Sequence, residues 1–367
     1  MKTLFANATF MAVTGLTSAF KTPDCYMHNC AFARVMPMKQ SRPLALKPAP
    51  SEMSARDVTV RHLSNMERSN ESQMSIREQI QSLSDRIRAV QPTPQENLCT
   101  KMVYIIGSGV SPTLTSLSLN ILSILSTADV ILIDSLSLPE SELRLIVPTN
   151  CTILNVGKRG DRPSMKQLEI DQLLLTQAKS SRNDIVVRLK GGDPFLFGRS
   201  RTEIETLQSN NISYSVIPNL SSAIAGPHFG GIPLTDPLLG ANSFAVFSGT
   251  TAAGTCVAGS TLEAPLKPRN WDDVHVDTLV FLMIGRLDKL HLLCQALTSN
   301  NQRWNTDTPC GVIQNAGSEA NQKVWRSTLS EIVKVIQSDL KNDENTVSPA
   351  VFVVGRVASL NLLENTA

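Results

Sequence analysis

A glycine pair, an acid, a proline and two aromatics crowd into one short stretch, Val186-Val-Arg-Leu-Lys-Gly-Gly-Asp-Pro-Phe-Leu-Phe-Gly-Arg199. A strand-like run leads straight into a glycine pair, which is the order of a ligand edge: at the carboxyl end of a strand in an open α/β sheet the chain turns sharply, leaves backbone donors free and holds its ligands. Gly191 and Gly192 allow close backbone approach. Asp193 followed by Pro194 reads as a helix N-cap with proline at the first helical position. Taken alone, Gly-Gly-Asp-Pro is an ordinary strand-to-helix turn. Two further charged residues stand at or just after strand ends, where alone they would be a strand-end cap and a solvated lysine. Asp134 closes the hydrophobic run Val-Ile-Leu-Ile, where a carboxylate is costly unless it meets solvent, a partner or a substrate. Lys158 sits in Val156-Gly-Lys-Arg-Gly160.

The elements that position these residues read as alternating strands and helices. Val103 to Ile106 is a strand leading into Gly107-Ser-Gly109; Leu114 to Leu125 is helical; Asp129 to Asp134 is the next strand, and another begins at Thr152. The Gly-x-Gly lacks the third glycine of a dinucleotide fingerprint and no suitably placed acid follows, which argues against a nicotinamide dehydrogenase. The 367 residues suffice for two domains, and a net charge of +2 is too mild for a nucleic-acid partner. Seven scattered cysteines without a Cys-x-x-Cys pair, and dispersed histidines, point to a reducing compartment and no metal site.

The string Arg188-Leu-Lys-Gly-Gly-Asp-Pro-Phe-Leu-Phe-Gly-Arg199 resembles, nearly letter for letter, the signature of uroporphyrinogen-III C-methyltransferases of the tetrapyrrole methylase family. The likeness runs from about residue 101 to 360. It implies a helix over Gln167 to Leu174 and strands over Leu279 to Met283, Gly311 to Ala316 and Ser348 to Arg356. Gly107-Ser-Gly109-Val110 is similar to the family's Gly-Ala-Gly-Pro-Gly-Asp, and Asp134 matches the aspartate of Tyr-Asp-Arg-Leu-Val, a proton acceptor. Lys158 matches the lysine of Gly-Lys-Arg-Ala-Gly, a proton donor. Asn219-Leu-Ser-Ser-Ala223 resembles Gly-Ile-Thr-Ser-Ala, with Asn219 in place of glycine. Asp236-Pro237 stands for His-Arg, and Ser248-Gly-Thr250 for Thr-Gly-His. The resemblance implies a two-domain α/β fold, 101–218 and 219–367, with the active site in the interdomain cleft. It implies S-adenosylmethionine as methyl donor, no metal, and contacts from Gly107, Gly109, Val110, Gly191, Gly192, Asp193, Leu196, Ser221, Ser222, Met283 and Ala316. Asp193 and the two serines would bind the donor's polar ends, and Leu196 and Met283 its adenosine. The implied acceptor is uroporphyrinogen III, an acidic macrocycle for which Lys158, Arg159, Arg199 and Arg201 could supply cations, and the implied product is precorrin-2 for siroheme. Methylation of a related precorrin, or a protein that binds the donor or a tetrapyrrole without turnover, are the competing readings. Family members are commonly homodimers.

Residues 1–51 hold one acid, Asp24, against six basic residues, and Leu4 to Leu16 is an apolar run too short to span a bilayer. Thr17-Ser-Ala19 followed by Phe20 and a basic stretch resembles the two-part presequence of algae with complex plastids, with a mitochondrial presequence as runner-up. Within the polar linker 52–100, Ile76, Ile80, Leu83, Ile87 and Val90 share one stripe of a helix that docks on the domain or on a partner. Gln91-Pro-Thr-Pro94 ends it.

Overall fold

Aliphatic runs without a polar face make strands covered on both sides. Five of them form an all-parallel sheet: β1 (Met102–Gly107), β2 (Val130–Ile133), β3 (Thr152–Asn155), β4 (Ile185–Lys190) and β5 (Tyr214–Ile217), in the order β3-β2-β4-β1-β5. A second five-stranded sheet is mixed. Its strands are β6 (Phe244–Ser248), β7 (Thr278–Leu282), β8 (Pro309–Gln314), β9 (Lys323–Thr328) and β10 (Ala350–Val354), ordered β6-β7-β10-β8-β9, with only β6 and β7 parallel. The computed structural model describes residues 75–90, 101–157, 165–249, 270–299, 303–340 and 345–363. The leader 1–51, the Gln91–Pro94 break, Lys158, Arg159 and Thr250 lie outside these described residues.

Order matters most at β1 and β4. The chain leaves β1 toward β2 on one side and leaves β4 toward β5 on the other, so the two neighbours form the switch point where an open parallel sheet has its crevice. The loops after these strands are Gly107–Gly109 and Gly191–Asp193. Apolar clusters cover both faces of this sheet: Ile106, Ile131, Val187 and Leu189 on one, Val103, Leu132, Val186 and Leu207 on the other. The second sheet likewise has a face packed around Trp271, Phe281 and Phe352, and a face packed around Ala223, Val280 and Ile313.

Helices fill the crossovers. After α1 (Ile76–Val90) come α2 (Leu119–Leu125), α3 (Glu140–Leu143), α4 (Gln167–Lys179), α5 (Ser200–Ser209), α6 (Ser222–Phe229), α7 (Leu287–Thr298) and α8 (Ile332–Asp339). The single helix expected over Leu114–Leu125 is divided, with a 3-10 turn at Leu114–Ser116 and α2 beginning afresh, because Ser118 turns its hydroxyl to the Ile121 N–H as an N-cap. A helix does not start at Pro194 either. Phe197 and Arg199 take φ of 59° and 54°, and such left-handed residues cannot propagate a right-handed helix, so α5 waits until Ser200.

The N-terminal helix α1 docks on the parallel-sheet side. Ile80 packs into the cluster around Ile124 and Leu125, the Arg77 Nε donates to the Ser126 carbonyl at 3.1 Å, and the Ser126 hydroxyl donates to Gln81 Oε1 at 3.1 Å. Only part of the expected stripe is used, since Ile76 and Leu83 remain exposed. Truncating Ile80 to alanine removes half-buried aliphatic carbon and should lower stability by about 1–2 kcal/mol. The check is the midpoint of denaturant unfolding, and an unchanged midpoint means that the helix contributes no packing.

Asp277 ties the start of β7 to the turn before β6. Its Oδ2 accepts from Ser243 Oγ at 2.8 Å and from the Asn242 and Ser243 N–H groups at 3.0 and 3.1 Å, while Arg303 lies 3.3 Å from Oδ1. These bonds, the Ser243 hydroxyl foremost, hold the Asp277 carboxyl below the ordinary aspartate value. A folded-state pKa below the unfolded one gives stability that is present above the ordinary carboxyl range and is lost as pH falls through the folded value. The stability gap between the native chain and Asp277→Asn should therefore shrink as unfolding is followed from neutral pH into acid; a constant gap would contradict this linkage.

Candidate active site

The glycine loops at the switch point close on each other. Gly109 N–H donates to the Gly192 carbonyl at 3.1 Å and Gly192 N–H donates to the Gly109 carbonyl at 2.9 Å, a two-bond ladder at the carboxyl ends of β1 and β4. Both glycines need positive φ, 72° and 68°, and a Cβ on Gly107 would stand 2.4 Å from the Gly192 oxygen. The expectation of free backbone donors therefore fails at Gly109 and Gly192, which satisfy each other. The amides of Val110 and Asp193 make no hydrogen bond among the described residues. Gly191 presses on the loop after β2, where a Cβ would meet the Leu136 carbonyl at 2.8 Å.

Asp193 is also committed internally rather than offered to a ligand. Its Oδ1 accepts from the N–H groups of Phe195 and Leu196 at 2.8 and 3.2 Å, and its Oδ2 from the Asn219 N–H at 3.3 Å. The carboxylate thus does locally what a helix N-cap does, holding the turn that carries Leu196. Facing this turn is the start of α6. Ser221 is its N-cap, accepting from the Ala223 N–H at 3.2 Å, and Ser222 is its first residue. A Cβ on Gly192 would lie 3.9 Å from Ser221 Cα and Ser222 N, which is ordinary contact distance, so the glycine turn lies directly against the start of α6.

Apolar residues from both sheets close the other side of this region. Val110 and Leu196, from loops of the parallel sheet, pack on the cluster of the mixed sheet that contains Ala223 and Ala316. Met283 follows β7 with φ of 60°, nearly half exposed, and the Ser248 hydroxyl lies 4.0 Å from its sulfur. Left-handed backbone at a non-glycine residue is unfavourable and tends to be kept where function needs it. It occurs here at Phe197, Arg199 and Met283.

Asp134 belongs to a buried ionic network. Arg188, at 2 % exposure, donates through Nη2 to Asp134 Oδ1 at 2.5 Å and through Nε to Glu203 Oε1 at 2.8 Å, and its Nη1 reaches the Leu132 and Leu189 carbonyls. Lys190 donates to both Glu203 oxygens at 2.9 and 2.8 Å. Burial works against the charge of Arg188, but Asp134 and Glu203 outweigh it and hold the guanidinium above its ordinary value. Lys190 is pushed down by burial and by the neighbouring Arg188 charge, which Glu203 offsets only in part. Asp134 keeps 30 % of its side chain exposed, with Oδ2 accepting no hydrogen bond among the described residues. Gly157 packs flat on the peptide after Asp134, a Cβ there meeting Ser135 N at 2.0 Å.

The structure thus gathers Gly107, Gly109, Gly192, Asp193 and Ser221 around one crevice and places Val110, Leu196 and Ala316 in one apolar cluster. It fixes Asp134 through a guanidinium that the sequence reading passed over as part of a strand. Two cations at alternate positions between buried aliphatics were the available signal, because cations there demand acids. Of the cations expected on the substrate side, Arg201 is instead paired with Glu205 at 2.6 Å on the α5 surface, and Arg199 is exposed.

Topology and site together define an α/β protein that takes a small molecule at the carboxyl edge of its parallel sheet, beside an oriented carboxylate. The model of the tetrapyrrole (corrin/porphyrin) methylases matches residues 102–333, and the chain belongs to that family. It is 34% identical over 262 residues to the uroporphyrinogen-III C-methyltransferase of Synechococcus elongatus, covering 71% of this chain and 95% of that one. It is also 34% identical to a siroheme synthase of Psychrobacter cryohalolentis, of which it spans 45%. Among solved structures, a Thermus thermophilus uroporphyrin-III C-methyltransferase complexed with S-adenyl homocysteine aligns with a TM-score of 0.52 and 28% identity, over 70% of this chain and 99% of that one.

Glu203 is the sole carboxylate shared by Arg188 and Lys190 in this network, with 0 % exposure. Glu203→Ala leaves both cations without it and should destabilise the fold by about 3–5 kcal/mol. Urea unfolding checks this, and a loss below about 1 kcal/mol would show that water reaches the network.

Proposed function

We propose that this chain is an S-adenosylmethionine-dependent C-methyltransferase that methylates uroporphyrinogen III at C2 and C7, forming precorrin-2 on the route to siroheme. Family membership and the relatives' activities support the reading, and the observation that carries it is Asp134, pinned on one oxygen by buried Arg188 at the sheet edge that bears the glycine loops. On this reading the donor's polar end lies by the Gly192 turn and the start of α6, beside the Val110 and Asp193 amides, while Leu196 and Met283 offer apolar surface next to the buried Ala316. When bound, the donor supplies an electrophilic methyl group.

The chain's own groups then orient and deprotonate. Each methyl transfer makes a carbon–carbon bond on the macrocycle, leaves one S-adenosylhomocysteine, and releases a proton from the ring system. Asp134 Oδ2 is the acceptor, since Oδ1 is held by Arg188 and the fixed carboxylate cannot swing away. Lys158 is assigned as the proton donor. Arg199, exposed at the start of α5, is the described cation best placed for the substrate's carboxylates. Alignment of the two reactants between the sheets supplies much of the acceleration. The division into domains at Asn219, assembly as a homodimer and a plastid address in residues 1–51 complete the proposal.

Asp134→Ala should lower turnover about 10²–10⁴-fold while its affinity for S-adenosylhomocysteine, measured by calorimetry, stays within about twofold. Undiminished turnover removes the acceptor role. A native chain that binds uroporphyrinogen III yet yields no methylated product overturns the enzyme reading in favour of a binding protein.

A further inference from the structure

Three loops, following β1, β4 and β5, meet at one residue, whose side chain reaches the first and whose backbone amide reaches the second. Asn219 donates through Nδ2 to the Gly107 carbonyl at 3.1 Å, accepts at Oδ1 from the Leu220 N–H at 2.8 Å, and donates its own N–H to Asp193 Oδ2 at 3.3 Å. It also covers Gly109: a Cβ there would lie 3.3 Å from Nδ2. A carboxamide gives a donor to the loop after β1 and at the same time an acceptor to the next amide of its own loop. Aspartate would set an oxygen against the Gly107 carbonyl, and glycine would leave that carbonyl and the Leu220 amide without this partner. The two joined segments are 112 residues apart in the chain, so the bond is a tertiary clasp and not a local turn.

We infer that Asn219 is a positioning residue that clasps the three loops of the crevice in their donor-binding arrangement before any ligand arrives. This inference rests on the proposed methyltransferase reading and adds a residue to it. The Gly109–Gly192 ladder joins the first two loops, and Asn219 adds the third, the one that leads into Ser221 and α6. Loops already held in the bound geometry lose less freedom on binding, so the clasp acts on affinity for the donor and not on the chemical step.

The test uses the full chain with two variants, Asn219→Gly, which restores the residue of the family pattern, and Asn219→Asp, which keeps the shape and loses the donor. Both should bind S-adenosylhomocysteine about 3- to 10-fold more weakly, with the KM for S-adenosylmethionine rising in step and kcat at saturation within about twofold. Amide exchange in the ligand-free protein should accelerate at Gly109 in both variants and at Leu220 in Asn219→Gly alone, while the thermal midpoint stays near native. Unchanged affinity in both variants overturns the inference, as does a fall in kcat at unchanged affinity. If the native chain fails to bind S-adenosylhomocysteine, the methyltransferase reading fails by itself. The exchange measurement then still decides the clasp, and unchanged protection overturns it.

Discussion

A guanidinium shut away from water is tolerable only where acids and carbonyls surround it, and the architecture of the parallel sheet is arranged around that requirement at Arg188. The side chain leaves β4 on the face covered by α4 and α5, takes Glu203 from α5 on one side and Asp134 from the end of β2 on the other, and finds the Leu132 and Leu189 carbonyls between them. Lys190, two residues further along the same face, shares Glu203. Two cations and two carboxylates therefore balance. Three elements distant in sequence are fixed relative to one another by a group that cannot move without stranding a charge. Asp134 inherits that rigidity while part of its carboxylate faces outward.

The same strand that carries the network also delivers the glycine loop. Lys190 is the last residue of β4, its carbonyl accepts from the Ser108 N–H at 2.7 Å, and Gly192 pairs with Gly109 immediately beyond. The oriented carboxylate and the crevice loops are thus registered against each other by one continuous piece of backbone. A shift of β4 along β1 would break both at once. This coupling explains why a run of only fourteen residues, Val186 to Arg199, carries so much of the chain's identity.

Much of this was legible in advance. Strands at β1, β2 and β4 follow from aliphatic runs, with glycines after β1 and β4 marking the turns, while β7 and β10 followed from the family resemblance. What failed was local. Asp193-Pro194 has the composition of a helix start, yet the left-handed backbone at Phe197 and Arg199 overrides it, and no local propensity announces such strain. The expectation of idle donors at the ligand edge failed at Gly109 and Gly192, because two glycine loops placed side by side by the strand order satisfy each other. Glu203 carries no signal of its own within Ser-Arg-Thr-Glu-Ile-Glu; only burial of Arg188 and Lys190 selects it over Glu205, which pairs with Arg201 at the surface.

The departures from the family pattern gain meaning when their partners are considered. Asn219, in place of glycine, has its donor and acceptor both used between loops. Asp236, in place of histidine, accepts from the Leu239 N–H at 2.9 Å and closes a small ladder with Ala241, which makes its loop a self-sufficient turn. Ser248, in place of threonine, stands at the end of β6 beside Met283. Here Asn219 and Asp236 are each absorbed into hydrogen bonds that fix the loop around them. Each substitution therefore brings its own local hydrogen-bond partners, so these loops keep a defined shape without the residues of the family pattern.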